Sequence, residues 1–116
     1  MNAGARQARY LWQKSGGRQT VTIVDIETRD SRFQVVISEK PAGGYLARYL
    51  GVRPREALPA DRRVRPHPAS IIADGAVEAE SLADLATKYR AVVVFHAGDI
   101  VAERLVAAGD RPDTVS

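Results

Sequence analysis

The chain has 116 residues, 45% of them hydrophobic and 27% charged, with 17 basic against 14 acidic side chains and no cysteine. That length and balance point to one hydrophobic core and exclude wholesale disorder, while the lack of cysteine excludes disulfides, thiolate catalysis and thiolate metal sites. The longest apolar run, Ala91 to Phe95, falls far short of the roughly 20 residues needed to cross a bilayer, so no membrane partner is expected.

Residues 1–18 have neither clean alternation nor a wide apolar stripe, and Ser15-Gly16-Gly17 sets them apart. They read as a basic arm in which Ala8 to Trp12 forms a short helical turn whose aromatics need an anchoring surface. The arm also lacks the apolar stretch of a secretory signal, which places the protein in the cytoplasm or in a particle assembled there. A single domain is expected over residues 19–109 and a polar tail over 110–116. Gln19 to Glu27 and Arg32 to Ser38 are rich in β-branched residues and predict two strands, joined as an antiparallel hairpin through Thr28-Arg29-Asp30-Ser31. Pro41-Ala42-Gly43-Gly44 ends the second strand. Tyr45, Leu46, Tyr49 and Leu50 recur at helical spacing before Gly51, which predicts a short helix closed by a glycine cap.

From Val52 to Pro68, four prolines and five arginines preclude a long helix or a central strand and predict an extended basic connector. Ala69 to Ala73 supplies a short third strand before a turn at Asp74-Gly75. Ser81 with Asp84 forms a capping box for a helix on Leu82, Leu85, Ala86 and Tyr89 that ends near Arg90. The wholly apolar Ala91 to Phe95 has the character of a strand buried on both faces. Asp99 then caps a last helix on Ile100, Val101, Leu105 and Ala108, which Gly109 stops and Pro112 prevents from resuming. The predicted fold is therefore α+β: a small mixed sheet, built from the N-terminal hairpin and the central strand 91–95, packed by two or three helices. The crossover into that strand takes the usual right hand.

Asp25-Ile26-Glu27-Thr28 sets two carboxylates on one side of a strand end, an arrangement suited to hard divalent cations such as magnesium or manganese. Val24 to Thr28 resembles the first motif of the DEDD superfamily of 3'-to-5' exonucleases, in which an Asp-x-Glu-Thr strand binds the catalytic metals. A second echo is the apolar run Val92 to Phe95 leading into His96-Ala97-Gly98-Asp99. The resemblance implies a metal-binding, nuclease-like domain with Asp25, Glu27 and Asp99 as ligands. It covers about ten residues. The second motif is two residues shorter than the family's and lacks its asparagine and phenylalanine, and the family's third motif has no counterpart. No catalytic residue is therefore assigned. The residues read directly favour solvated charges on an exposed hairpin, no cofactor and no enzymatic activity.

The base-rich segments offer the other candidate site. Fourteen of the basic residues are arginine, and they concentrate in the arm and in residues 45–68. Arg6, Arg9, Tyr10 and Trp12 of the arm, with Arg53, Arg55, Arg62, Arg63 and Arg65 of the connector, combine cations with aromatics. Such a set holds phosphates and stacks bases in single-strand binders, and it also makes hot spots in protein interfaces. The interface reading is preferred. It predicts a structural or assembly subunit, such as a component of a phage particle, that binds copies of itself or another protein; a nucleic-acid-binding module is the alternative.

Overall fold

The computed structural model describes residues 19–61 and 63–111. They form strands β1 (Gln19–Thr28), β2 (Arg32–Glu39), β3 (Tyr45–Val52) and β4 (Ile71–Ala79), then helix α1 (Leu82–Ala97) and strand β5 (Ile100–Arg111). Two short 3-10 turns, Arg55–Ala57 and Pro68–Ser70, interrupt the connector between β3 and β4. The strands make one sheet in the order β4-β3-β2-β1-β5 with every neighbouring pair antiparallel. None of the described helices is long and apolar enough to cross a membrane.

Alternation decides which side chains meet. The register sets Ile26 opposite Phe33 and Phe33 opposite Gly51, with Val24, Val35 and Tyr49 forming the next row. These rows share one face of the sheet. There Val24, Ile26, Phe33, Val35, Ile37, Tyr45, Ala47 and Ala73 pack against Leu85, Tyr89 and Val93 of α1. The three helix residues are spaced four apart, one to a turn, as burial of a single stripe requires. Ser81 caps the helix by accepting a hydrogen bond from the Asp84 amide at 3.1 Å. Gly98 closes it at φ +86°, a conformation that favours glycine.

The expected mixed sheet with two or three helices is overturned. The sheet is wholly antiparallel, α1 is its one α-helix among the described residues, and three segments change type. Tyr45 to Val52 is a strand, because Tyr45, Ala47 and Tyr49 also satisfy a period of two, and β2 and β4 flank them with hydrogen-bonding partners. The supposed central strand 91–95 is the second half of α1. Nothing between Arg90 and Gly98 breaks a helix, and β-branching is a small cost once the first turns are capped and packed. The supposed last helix is β5, which supplies β1 with its second partner; Gly109 pairs with Val21 inside that strand instead of stopping a helix. The right-handed crossover to a strand at 91–95 disappears with that strand. The hairpin of β1 and β2 is found as expected, and the third strand is present but runs from Ile71 through Gly75 to Ala79. Arg6, Arg9, Tyr10, Trp12 and Arg62, and the last five residues of the polar tail, lie outside the described residues.

Gly51 is required by close approach: a Cβ there would collide with the ring of Phe33, a fully buried side chain. Gly51→Ala is expected to cost about 1–3 kcal/mol in urea unfolding through overpacking. Gly75→Ala is expected to cost less, because its new methyl meets the outer end of the part-buried Tyr49 side chain, 2.6 Å from Oη, and not a fully buried ring. Equal stabilities of the wild type and Gly51→Ala would contradict the packing described.

Burial keeps the Tyr89 phenol above its ordinary range, the Glu103 carboxylate adds to the shift and Arg90 opposes it. The folded chain therefore holds the phenolic proton more tightly than the unfolded chain does. As pH rises past about 10, the ordinary value, the unfolded state ionises first and stability is lost through the folded value. The urea midpoint is expected to fall above that pH in the wild type and to fall less in Tyr89→Phe; identical profiles would refute this assignment.

Candidate interaction surfaces

The two carboxylates of the Asp-x-Glu-Thr strand stand on the face opposite α1, and arginines from three separate segments meet them. Asp25 is buried, and Arg32 on β2 donates from Nη2 to its Oδ2 at 2.7 Å. Arg55, in the first connector turn, approaches Glu27 Oε1 at 3.3 Å, and Arg104 on β5 lies 3.9 Å from Glu27 Oε2. The hairpin turn is tied into the same region. The Ser31 amide donates to Thr28 Oγ1 at 3.2 Å, while Arg53 Nε reaches Ser31 Oγ at 3.3 Å and Asp30 Oδ2 at 3.4 Å.

Asp99 sits exposed in the turn between α1 and β5. Among the described residues no three metal-ligating side chains gather into a group that could hold an ion. Asp25 and Glu27 point to the same side of β1, as their spacing requires, but their charge is compensated by guanidinium groups. Asp25 Oδ1 and Arg32 Nε remain buried without a hydrogen-bond partner among the described residues, so the pair is a costly one to disturb.

The connector arginines are similarly engaged. Arg63 contacts Asp61 at 3.2 Å and Arg65 contacts Asp74 on β4 at 3.0 Å. With Arg53 on Asp30 and Arg55 on Glu27, every described connector arginine lies against a carboxylate. Leu58 and Pro66 are buried, and the connector overhangs a cleft of about 370 Å³ whose walls include Val36, Arg48, Leu50 and Val64. The basic connector is thus a charge-paired cover on the second sheet face.

A different surface is apolar and exposed. Phe95 on the last turns of α1 is 83% accessible, and Val101 and Leu105 on β5 are 62% and 64% accessible; Val94 on α1 and Val106 on β5 are exposed as well. Arg90, one turn before Val94, donates to both carboxylate oxygens of Glu103 on β5 at 2.9 and 2.8 Å, so this flank of α1 faces the edge strand. Within this patch Phe95 packs edge-on against His96 with ring centroids 5.0 Å apart. His96 is exposed at the end of the helix, away from any described acid cluster. No described strand covers the outer side of β5. Sequence reasoning missed this surface because Val94 and Phe95 were placed inside a buried strand and Val101 and Leu105 on the packed face of a helix. Apolar composition carries the signal of contact, but only the element type says whether the contact is with the chain's own core.

Comparison with known proteins adds no identity: no family model, curated protein or solved structure matches this chain.

Two outcomes are expected at the carboxylate cluster. Arg32→Met leaves the buried Asp25 carboxylate unpaired and is expected to cost about 2–3 kcal/mol, below the figure for a fully buried pair because Arg32 is part-exposed. Asp25→Leu combined with Arg32→Met is expected to recover most of that loss; a double variant no more stable than the single one would contradict the pairing. Magnesium or manganese is expected to leave the melting temperature unchanged, since arginines already occupy the carboxylates. A metal-dependent rise that Asp25→Asn abolishes would overturn that view of Asp25 and Glu27.

Proposed function

We propose that the chain is a non-enzymatic assembly subunit that binds protein through the outer edge of β5 and the apolar end of α1. The observation that carries this reading is that Phe95 and Val94 at the end of α1 and Val101 and Leu105 on the edge strand are all exposed, with no described strand on the outer side of β5. Isolated surface apolar residues are ordinary, but several large ones on an edge strand and on the helix leading into it are a feature of binding surfaces. The nucleic-acid alternative has less support, because the described connector arginines lie against Asp30, Glu27, Asp61 and Asp74. The metal-dependent alternative is weakened in the same way by the guanidinium partners of Asp25 and Glu27.

A photoreactive phenylalanine analogue placed at residue 95 of the full chain tests the reading in the producing cell. Irradiation is expected to yield a discrete protein adduct, and the same analogue at Ala83, exposed near the start of α1, is expected to yield none. No adduct from position 95, or equal labelling from both positions, would count against this surface as the binding site.

A further inference from the structure

The cleft under the connector holds a cation that the described fold leaves without a counter-charge. Arg48 stands on β3, on the sheet face opposite α1, with Val36 of β2 and Ala76 of β4 directly beside it. Leu46 and Leu50 are its neighbours along β3 on the same face. Arg48 makes no ion pair or hydrogen bond with any described residue, whereas each described connector arginine lies against a carboxylate. The half-buried Gln34 amide, diagonal to Arg48 across the β2–β3 pair, likewise lacks a side-chain hydrogen bond among the described residues. Diagonal neighbours are about 7–8 Å apart, a span that long side chains close. The carboxylate in the described lining is that of Asp74, and Arg65 already holds it at 3.0 Å. The roof of the cleft is tied down as well. The Arg53 amide donates to the Ser70 carbonyl at 2.9 Å, Arg55 reaches Glu27, and Leu58 and Pro66 are buried.

We propose that this cleft binds a small organic acid, a monocarboxylate with a compact apolar body, whose carboxylate sits on the Arg48 guanidinium and the Gln34 amide. The body of the acid lies against Val36, Leu50, Leu58 and Val64. This site is separate from the surface on β5 and α1 and goes beyond the binding of protein. Three considerations set the ligand class. The first is size: about 370 Å³ lies in the range of small-molecule sites and holds the volume of about a dozen waters. The second is charge. A guanidinium grips a carboxylate through two parallel hydrogen bonds, and one free cation among the described lining residues matches one negative charge. A phosphate monoester carries nearly two negative charges and calls for more donors. The third is the lining itself. Apolar side chains from the sheet and the connector flank the polar pair, which suits a ligand with one charged end and one apolar end. Partial cover by the connector also lowers the local dielectric, which strengthens the ion pair over one formed in open water. Since Arg65 neutralises Asp74, that carboxylate does not repel the acid.

Titration of the isotope-labelled full chain with benzoate, 3-phenylpropionate and 4-methylpentanoate, followed by NMR, tests the proposal. At least one acid is expected to give saturable shifts at Gln34, Arg48, Leu50 and Val64, half complete at about 1 mM or below. The amide of the same acid is expected to bind at least about tenfold more weakly, because it brings no charge to Arg48. Arg48→Met keeps the aliphatic stem, removes the guanidinium, and is expected to weaken binding at least about tenfold. Arg29→Met removes the same charge from the exposed hairpin turn and is expected to leave binding unchanged. Circular dichroism and melting curves confirm that each variant is folded, and the comparison of acid with amide needs only the wild type. Three acids that give no saturable shift up to about 10 mM, an amide that binds as well as its acid, or a folded Arg48→Met that binds as the wild type does, each overturns the proposal. Phenyl phosphate binding more tightly than benzoate rejects the carboxylate as the ligand class.

Discussion

Because β4 and β5 lie at opposite edges of an antiparallel sheet and run in the same direction, α1 must carry the chain across the full width of one face. Four strand spacings amount to about 19 Å, and a helix of 16 residues spans about 24 Å. The helix therefore has just the length needed to join the two edges. Its inward stripe, Leu85, Tyr89 and Val93, closes the core over Phe33, Ile26 and Val35. Gly51 leaves room for the Phe33 ring beneath it. The same crossing delivers the end of α1 to the outermost described strand, where Val94 and Phe95 are exposed. The exposed surface is thus a consequence of the topology that makes the core.

The opposite face follows a different principle. There β1 presents Asp25 and Glu27, and the chain answers with Arg32 from the neighbouring strand, Arg55 from the connector and Arg104 from the edge strand. Bringing guanidinium groups from three segments to one pair of carboxylates ties the hairpin, the connector and β5 together. Ion pairs of this kind add little net stability when exposed. At Asp25, however, where the carboxylate is buried, an unpaired charge would be costly. The cluster thereby constrains where the connector and β5 can sit.

Local pattern made the first hairpin and the start of α1 legible, and it misled where two periods fit the same residues. Val21, Ile23, Phe33 and Val35 alternate without ambiguity, and Ser81 is followed by a helical stripe. Tyr45, Leu46, Tyr49 and Leu50 fit a helix as well as a strand, and the decision belongs to β2 and β4, which neighbours in sequence do not reveal. Val92, Val93 and Val94 have strand propensity, but they continue a helix already nucleated; Ala102 to Ala108 are good helix formers, but they complete the hydrogen bonding of β1. In both cases tertiary pairing outweighed intrinsic preference. The candidate site was legible in the same partial way. The spacing of Asp25 and Glu27 correctly placed them on one side of a strand, while their arginine partners arrive from positions 7, 28 and 77 residues away, counted from Asp25–Arg32, Glu27–Arg55 and Glu27–Arg104.

The edge position of β5, the paired carboxylates and the exposed end of α1 all depend on residues 100–111 being a strand against β1. Solution NMR of the full chain tests this directly through backbone chemical shifts and cross-strand nuclear Overhauser effects. Extended-chain shifts from Ile100 to Leu105, with backbone contacts between Asp25 and Arg104 and between Val24 and Leu105, are the expected result. Helical shifts over Ile100 to Ala108, with β1 lacking these contacts, would contradict the account.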